Sequence, residues 1–154
     1  MKLRSILLPT DFSECASYAL SYAASLARDA GAAIVCVHVV ESVMPTVGYT
    51  GITEPLPVSD ISDQLEDSAT RELPKIADSE ECAGLEIEEV IAHGDPASEI
   101  VRVARERGVD LIVISSHGRT GLGRILFGST AEAVVRHASC PVLVVKPPAE
   151  KDDS

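Results

Sequence analysis

Asp110-Leu-Ile-Val-Ile-Ser-Ser-His-Gly-Arg-Thr-Gly-Leu-Gly-Arg-Ile-Leu-Phe-Gly-Ser-Thr130 is the stretch whose reading decides the fold. The β-branched run Leu111 to Ile114 suits a strand covered on both faces, the usual state of a parallel sheet. Gly118, Gly121, Gly123 and Gly128 follow it. Such a loop lets backbone come close to a ligand, and the helix after it offers N–H groups and a positive dipole end. A phosphate is the ligand that chemistry suits. A Gly-rich turn that binds nothing is the plain alternative, and charge placement argues against it. Between Ser115 and Lys146 four cations, Arg119, Arg124, Arg136 and Lys146, face only Glu132, while the whole chain is at −11. A basic island on an acidic protein favours a small polyanion.

Outward from this stretch, strands and helices alternate. Ile6 to Pro9 reads as a first strand ending at Thr10-Asp11, and the next helix places Ala16, Ala19, Leu20, Ala23, Ala27 and Ala30 on one face before Gly31. Ala33 to Val40 is a second buried strand. The segment 41–58 holds Pro45, Gly48, Gly51, Pro55 and Pro57 without either period, and reads as a long loop of the kind that often closes over ligands. Ser59 opens a helix with an apolar stripe of Ile61, Leu65, Ala69, Leu73 and Ile76, which Pro74 is expected to kink or end. Leu85 to Ala92 carries Glu86, Glu88 and Glu89 and belongs at a sheet edge.

Asp95 and Pro96 mark a helix start, with Ala97, Ile100, Val101 and Ala104 facing inward and Gly108 closing it. Ser129 to Glu132 matches a capping box, followed by Ala131, Val134, Val135 and Ala138 as the inner face. Val142 to Val145 is a fifth strand. The expectation is an α/β fold: an open five-stranded parallel sheet with helices on both faces, Rossmann-like. Ligands in such sheets sit beyond the carboxyl ends of strands where the winding reverses, which would bring the loops after the first and fourth strands to one crevice.

Composition narrows the function. At 154 residues the chain is one domain, expected over 1–147, with a charged disordered tail at 148–154. Hydrophobic content is 45% with 3% aromatics and no Trp, so the core is aliphatic. The acidic balance argues against nucleic acid or anionic membrane as a partner. No apolar run is long enough to span a bilayer, and Asp11 and Glu14 interrupt the N-terminal run too early for a signal peptide, so the expected location is cytoplasmic. Cys15, Cys36, Cys82 and Cys140 form no C-x-x-C pair and read as free thiols, Cys15 and Cys36 in the core.

Pro9-Thr10-Asp11-Phe12-Ser13, His38-Val39, Gly94-Asp95-Pro96, Asp110 to Val113, Ser116 to Gly121, Leu126 to Ser129 and Cys140 to Val145, taken in order, resemble a universal stress protein over nearly the whole chain. ATP-binding members carry Gly, two residues, Gly, nine residues, Gly and Ser or Thr. Here Gly118 is the second Gly, Arg119 to Phe127 are the nine residues and Gly128-Ser129 completes the pattern, while Ser115 replaces the first Gly. The resemblance implies ATP, accompanied by Mg, at the ends of the first and fourth strands. Pro9, Thr10 and Val39 would flank adenine, and Asp11 would accept from ribose hydroxyls. Ile114 and Ser115 would line the strand end, and His117 would orient the loop. Gly118, Gly128, Ser129 and Thr130 would hold phosphates, with Arg119 and Arg124 adding charge. It further implies a homodimer joined through Val142 to Val145, or, if Ser115 closes the site, a nucleotide-free interaction module.

Gly123 to Thr130 nearly spells a P-loop but lacks its lysine, so no residue is assigned a catalytic or metal role and any hydrolysis is expected to be slow. Lys146-Pro147 hints at a signalling receiver, but Ala92 stands at the end of the third strand, where the phosphoacceptor Asp would be needed.

Overall fold

The computed structural model describes residues 1–42, 58–117 and 127–148, without the side chains of Val58 and Ser59. Most of the 41–58 loop, the centre of the Gly-rich loop including Gly118 and Arg119, and the tail beyond 148 lie outside the described residues. The elements run β1 (Ser5–Pro9), α1 (Glu14–Ala30), β2 (Ala33–Val40), α2 (Val58–Ala77), a short 3-10 turn (Glu80–Cys82), β3 (Ile87–His93), α3 (Pro96–Arg107), β4 (Leu111–Ser115), α4 (Ser129–His137) and β5 (Val142–Val145). All five strands are parallel in the order β3-β2-β1-β4-β5, so the winding reverses between β1 and β4 and β3 is an edge, as its glutamates predict.

Local chemistry sets the helix ends. The Ser13 hydroxyl accepts from Ala16 N at 3.2 Å to start α1, and Gly31 ends it at φ 69. Asp95 accepts from the Ser98 amide at 2.9 Å and hydroxyl at 2.8 Å, and these bonds hold its carboxyl below the ordinary range. The capping box expected at Ser129 does not form. Gly128 is the N-cap of α4 and Ser129 is its first helical residue, so the cap residue supplies no side-chain bond to this end of the helix. Pro74 does not end α2, which continues to Ala77. The third strand is shifted to Ile87–His93.

The alternation of side chains across the sheet makes two cores. Ile6, Leu8, Ile34, Cys36 and Val113 pack under the alanine face of α1 and Leu73 of α2, while Leu7, Val35, Val37, Ile112 and Ile114 meet α3 and α4 through Ile100, Val103, Ala131 and Val134. Burying each branched side chain contributes roughly 1.5–3 kcal/mol. The alanines let α1 lie close to the sheet. Ala24 is buried and Ala30 exposed, one position off the expected stripe. Val135 was expected inside and is exposed, and Leu65 is also exposed, because each lies on the solvent side of its helix. Cys82 is buried, whereas Cys15 is only half-buried.

Two features yield measurable consequences. The Asp110 carboxylate accepts from Arg4 N at 2.8 Å and Ser5 N at 3.1 Å, tying the start of β1 to the start of β4. Asp110→Ala is expected to lower unfolding stability by roughly 1–2 kcal/mol in denaturant titrations, since two amides lose their acceptor. Burial first, then Cys82 and Glu89, push the Cys36 thiol up to about 12 from 9.0. The folded state therefore favours the neutral thiol, and its contribution is intact below pH 9.0 and lost as pH rises toward about 12. Iodoacetamide at pH 8 should modify Cys36 only after denaturation. Rapid labelling of the native protein at this residue would contradict the assignment.

Candidate functional site

β1 pairs β2 through Pro9↔Val37, and β4 pairs β5 through Ser115↔Val145. Between β1 and β4 the register covers Ile6↔Leu111 and Leu7↔Ile112 alone. The central strands thus part at their carboxyl ends, where each remains paired with its outer neighbour. Pro9, Thr10 and Asp11 stand on one side of this opening and Ile114, Ser115, Ser116 and His117 on the other.

The β1 side is a rigid turn. Thr10 is buried; its amide donates to Val37 O at 2.9 Å and its hydroxyl oxygen accepts from Phe12 N at 3.1 Å. Asp11 Oδ1 accepts from Ser13 N at 3.0 Å, which fixes the carboxylate at the head of α1. Phe12 adopts φ 64, a left-handed conformation that a bulky side chain rarely takes. Its ring lies against His38 with centroids 4.5 Å apart. A carbonyl only accepts, so His38 Nδ1 carries the proton that it donates to Thr10 O at 2.8 Å. His38 is therefore a structural member of the turn.

The β4 side is held as firmly. Ser116 is fully buried; its amide donates to Val145 O at 2.8 Å and its carbonyl accepts from Gly128 N at 2.6 Å. A Cβ added at Gly128 would come within 3.3 Å of that same carbonyl oxygen, so the α4 start and the β4 end meet closely and a side chain there would press on the strand end. The Ser116 hydroxyl and His117 Nδ1 are hydrogen-bonded at 2.9 Å. Ser115 donates its hydroxyl to His117 O at 3.1 Å.

Of the residues expected at the site, Thr10, Asp11, Ser115 and His117 flank the opening, and Gly128, Ser129 and Thr130 form the start of α4 beside it. Ile114 is packed in the core, and Val39 is packed against the same cluster from β2. Gly118 and Arg119 fall outside the described residues, as does Arg124. The basic island is thinner than the sequence suggests, because Arg136 pairs with Glu132 at 3.0 Å on the exposed flank of α4. The sequence motifs include Phe12 and Ser116 but assign neither a role of its own. Thr10, Asp11 and Ser13 in succession were the available signal, since such side chains bond nearby backbone and define turns.

Comparison with known proteins identifies the family and the fold. A model of the universal stress protein family matches residues 2–146. Universal stress protein MJ0531 of Methanocaldococcus jannaschii is 38% identical over 149 residues, covering 94% of this chain and 83% of that protein. The solved structure of MJ0577, from the same organism, superposes with a TM-score of 0.84 at 31% identity, covering 97% of this chain and all of that one. A universal stress protein from Archaeoglobus fulgidus, solved in complex with dAMP, has a TM-score of 0.62 at 28% identity, covering 95% of this chain and 100% of that one. With its sheet order, its parted central strands and a family match over nearly its full length, the chain belongs to the universal stress protein family.

Proposed function

We propose that this protein binds an adenine nucleotide, ATP with its magnesium, in the opening between β1 and β4, and acts in stress response through occupancy of that site. One observation carries the reading. The strands part with a fixed carboxylate, Asp11, at the end of β1, and the end of β4 is bonded to a helix start, Gly128 to Thr130, whose cap residue offers no side chain. The carboxylate suits ribose hydroxyls as an acceptor, and the helix start suits phosphate oxygens as a set of donors. The dAMP complex of the Archaeoglobus relative supports an adenine nucleotide as the ligand class. Among the described residues no group of three or more His, Cys, Asp and Glu side chains could hold a metal, so magnesium would arrive on the phosphates.

Binding rather than rapid turnover is the activity this chain suits. Ser129 stands where a P-loop has its lysine, so the element that stabilises a transferring phosphoryl group is missing. We also propose a cytoplasmic location and a homodimer formed through β5. In support of the dimer, β5 is an outer strand of Val and Leu without a charge, and Leu143 on it and Val135 on α4 are 37% and 50% exposed.

Calorimetric titration is expected to show micromolar ATP binding that weakens through ADP to AMP, accompanied by an upward melting shift from mass action. Gly128→Val should lower ATP affinity by about 10-fold or more, because its branched side chain would press on Ser116 O. Absence of heat and of any thermal shift at millimolar ATP would overturn the nucleotide reading in favour of an interaction module. Light scattering should give twice the 16.3 kDa chain mass, reduced to a single chain by Leu143→Asp. A parent protein of single-chain mass at tens of micromolar would remove the dimer.

A further inference from the structure

Two successive hydroxyls hold one residue at the mouth of the site. Ser115 Oγ donates to the His117 carbonyl at 3.1 Å, and Ser116 Oγ meets His117 Nδ1 at 2.9 Å, so both the backbone and the ring of His117 are fixed by the residues just before it. Their duties differ. Ser116 is also bonded through its amide to Val145 and through its carbonyl to Gly128, and is fully buried, so it serves the fold. Ser115 is the half-buried last residue of β4, and its hydroxyl acts on the direction of the chain beyond the strand.

We propose that Ser115 is a positioning residue of the nucleotide site: its hydroxyl, by holding the His117 carbonyl, fixes where that oxygen points beside the α4 start proposed to receive the phosphates. The inference rests on the nucleotide reading above and refines it. The carbonyl's direction matters because of where it stands. Gly128 N bonds Ser116 O, and a Cβ at Gly128 would lie 3.8 Å from His117 Cα, so His117 sits against the start of α4, where a released carbonyl oxygen can turn toward the amides proposed to receive phosphate. The fold depends on it far less. A carbonyl released at this half-buried position can turn to water, whereas the bonds of Ser116 stay in place. The serine thus supplies an anchor at a position where the related pattern has a glycine.

The test compares the parent with Ser115→Ala, which deletes the hydroxyl alone, and Ser115→Thr, which keeps it. ATP affinity should fall about 5–10-fold in Ser115→Ala and return to within roughly 2-fold of the parent in Ser115→Thr. Melting temperatures should stay within about 2 °C of one another. Adenosine, which lacks phosphates, should bind parent and Ser115→Ala alike. Equal ATP affinity in parent and Ser115→Ala overturns the inference and leaves the nucleotide reading standing. A loss that Thr does not restore, that comes with a matching fall in melting temperature, or that is as large for adenosine also overturns it. A parent that binds neither ligand removes both readings together.

Discussion

Strands β1 and β4 cannot stay paired to their ends, and the candidate site exists because of that. Covering both faces of one parallel sheet forces the chain to wind first toward β3 and then back past β1 toward β5. At the reversal each central strand is drawn along by its outer partner. Pro9 remains with Val37 and Ser115 with Val145, while β1 and β4 share only their first residues. Helices follow the two strands on opposite faces, α1 after β1 and α4 after β4. A sheet wound in one direction would have no such opening.

What borders the gap is stiff. After β1, the φ 64 conformation of Phe12 is of a kind that costs about 1–3 kcal/mol and persists only when its surroundings over-determine it. Here they do: Thr10, Asp11 and Ser13 each bond backbone within three residues, and the His38 ring supports Phe12 from β2. After β4, the short bond from Gly128 N to Ser116 O joins a strand end to a helix start. Among the described residues every buried side-chain nitrogen or oxygen has a hydrogen-bond partner. Preorganisation of this kind lowers the ordering cost of binding.

Much of this was legible in the residues. Val and Ile runs marked β2 and β4, Gly31 and Gly108 marked helix ends, Asp95-Pro96 marked the start of α3, and three glutamates placed β3 at an edge. Each is a local signal that the tertiary structure has no reason to oppose. The failures have a common cause. Ser129 has the chemistry of an N-cap, but Gly128, whose amide bonds Ser116 O, takes that place one residue earlier, where a Cβ would press on the same oxygen. Val135 has the spacing of an inner face, but α4 is short and lies at the rim. Nothing in the letter Phe signals a left-handed backbone; that conformation is imposed by neighbours from two strands. At the site, residue types were readable and their division of labour was not, because it depends on which hydroxyl the sheet has already engaged.

The two rims of the sheet differ in a way that bears on assembly. β3 presents Glu88 and Glu89, with Glu86 just before it and Glu88 engaged by Arg107 at 2.7 Å, while β5 carries no charge at all. A sheet with two adhesive rims could add copies at both sides and grow into a fibre. With one rim guarded by like charges, edge-to-edge pairing is disfavoured at β3. In the proposed dimer through β5, the glutamates of β3 would act as a terminator at the far rim, a safeguard against polymerisation.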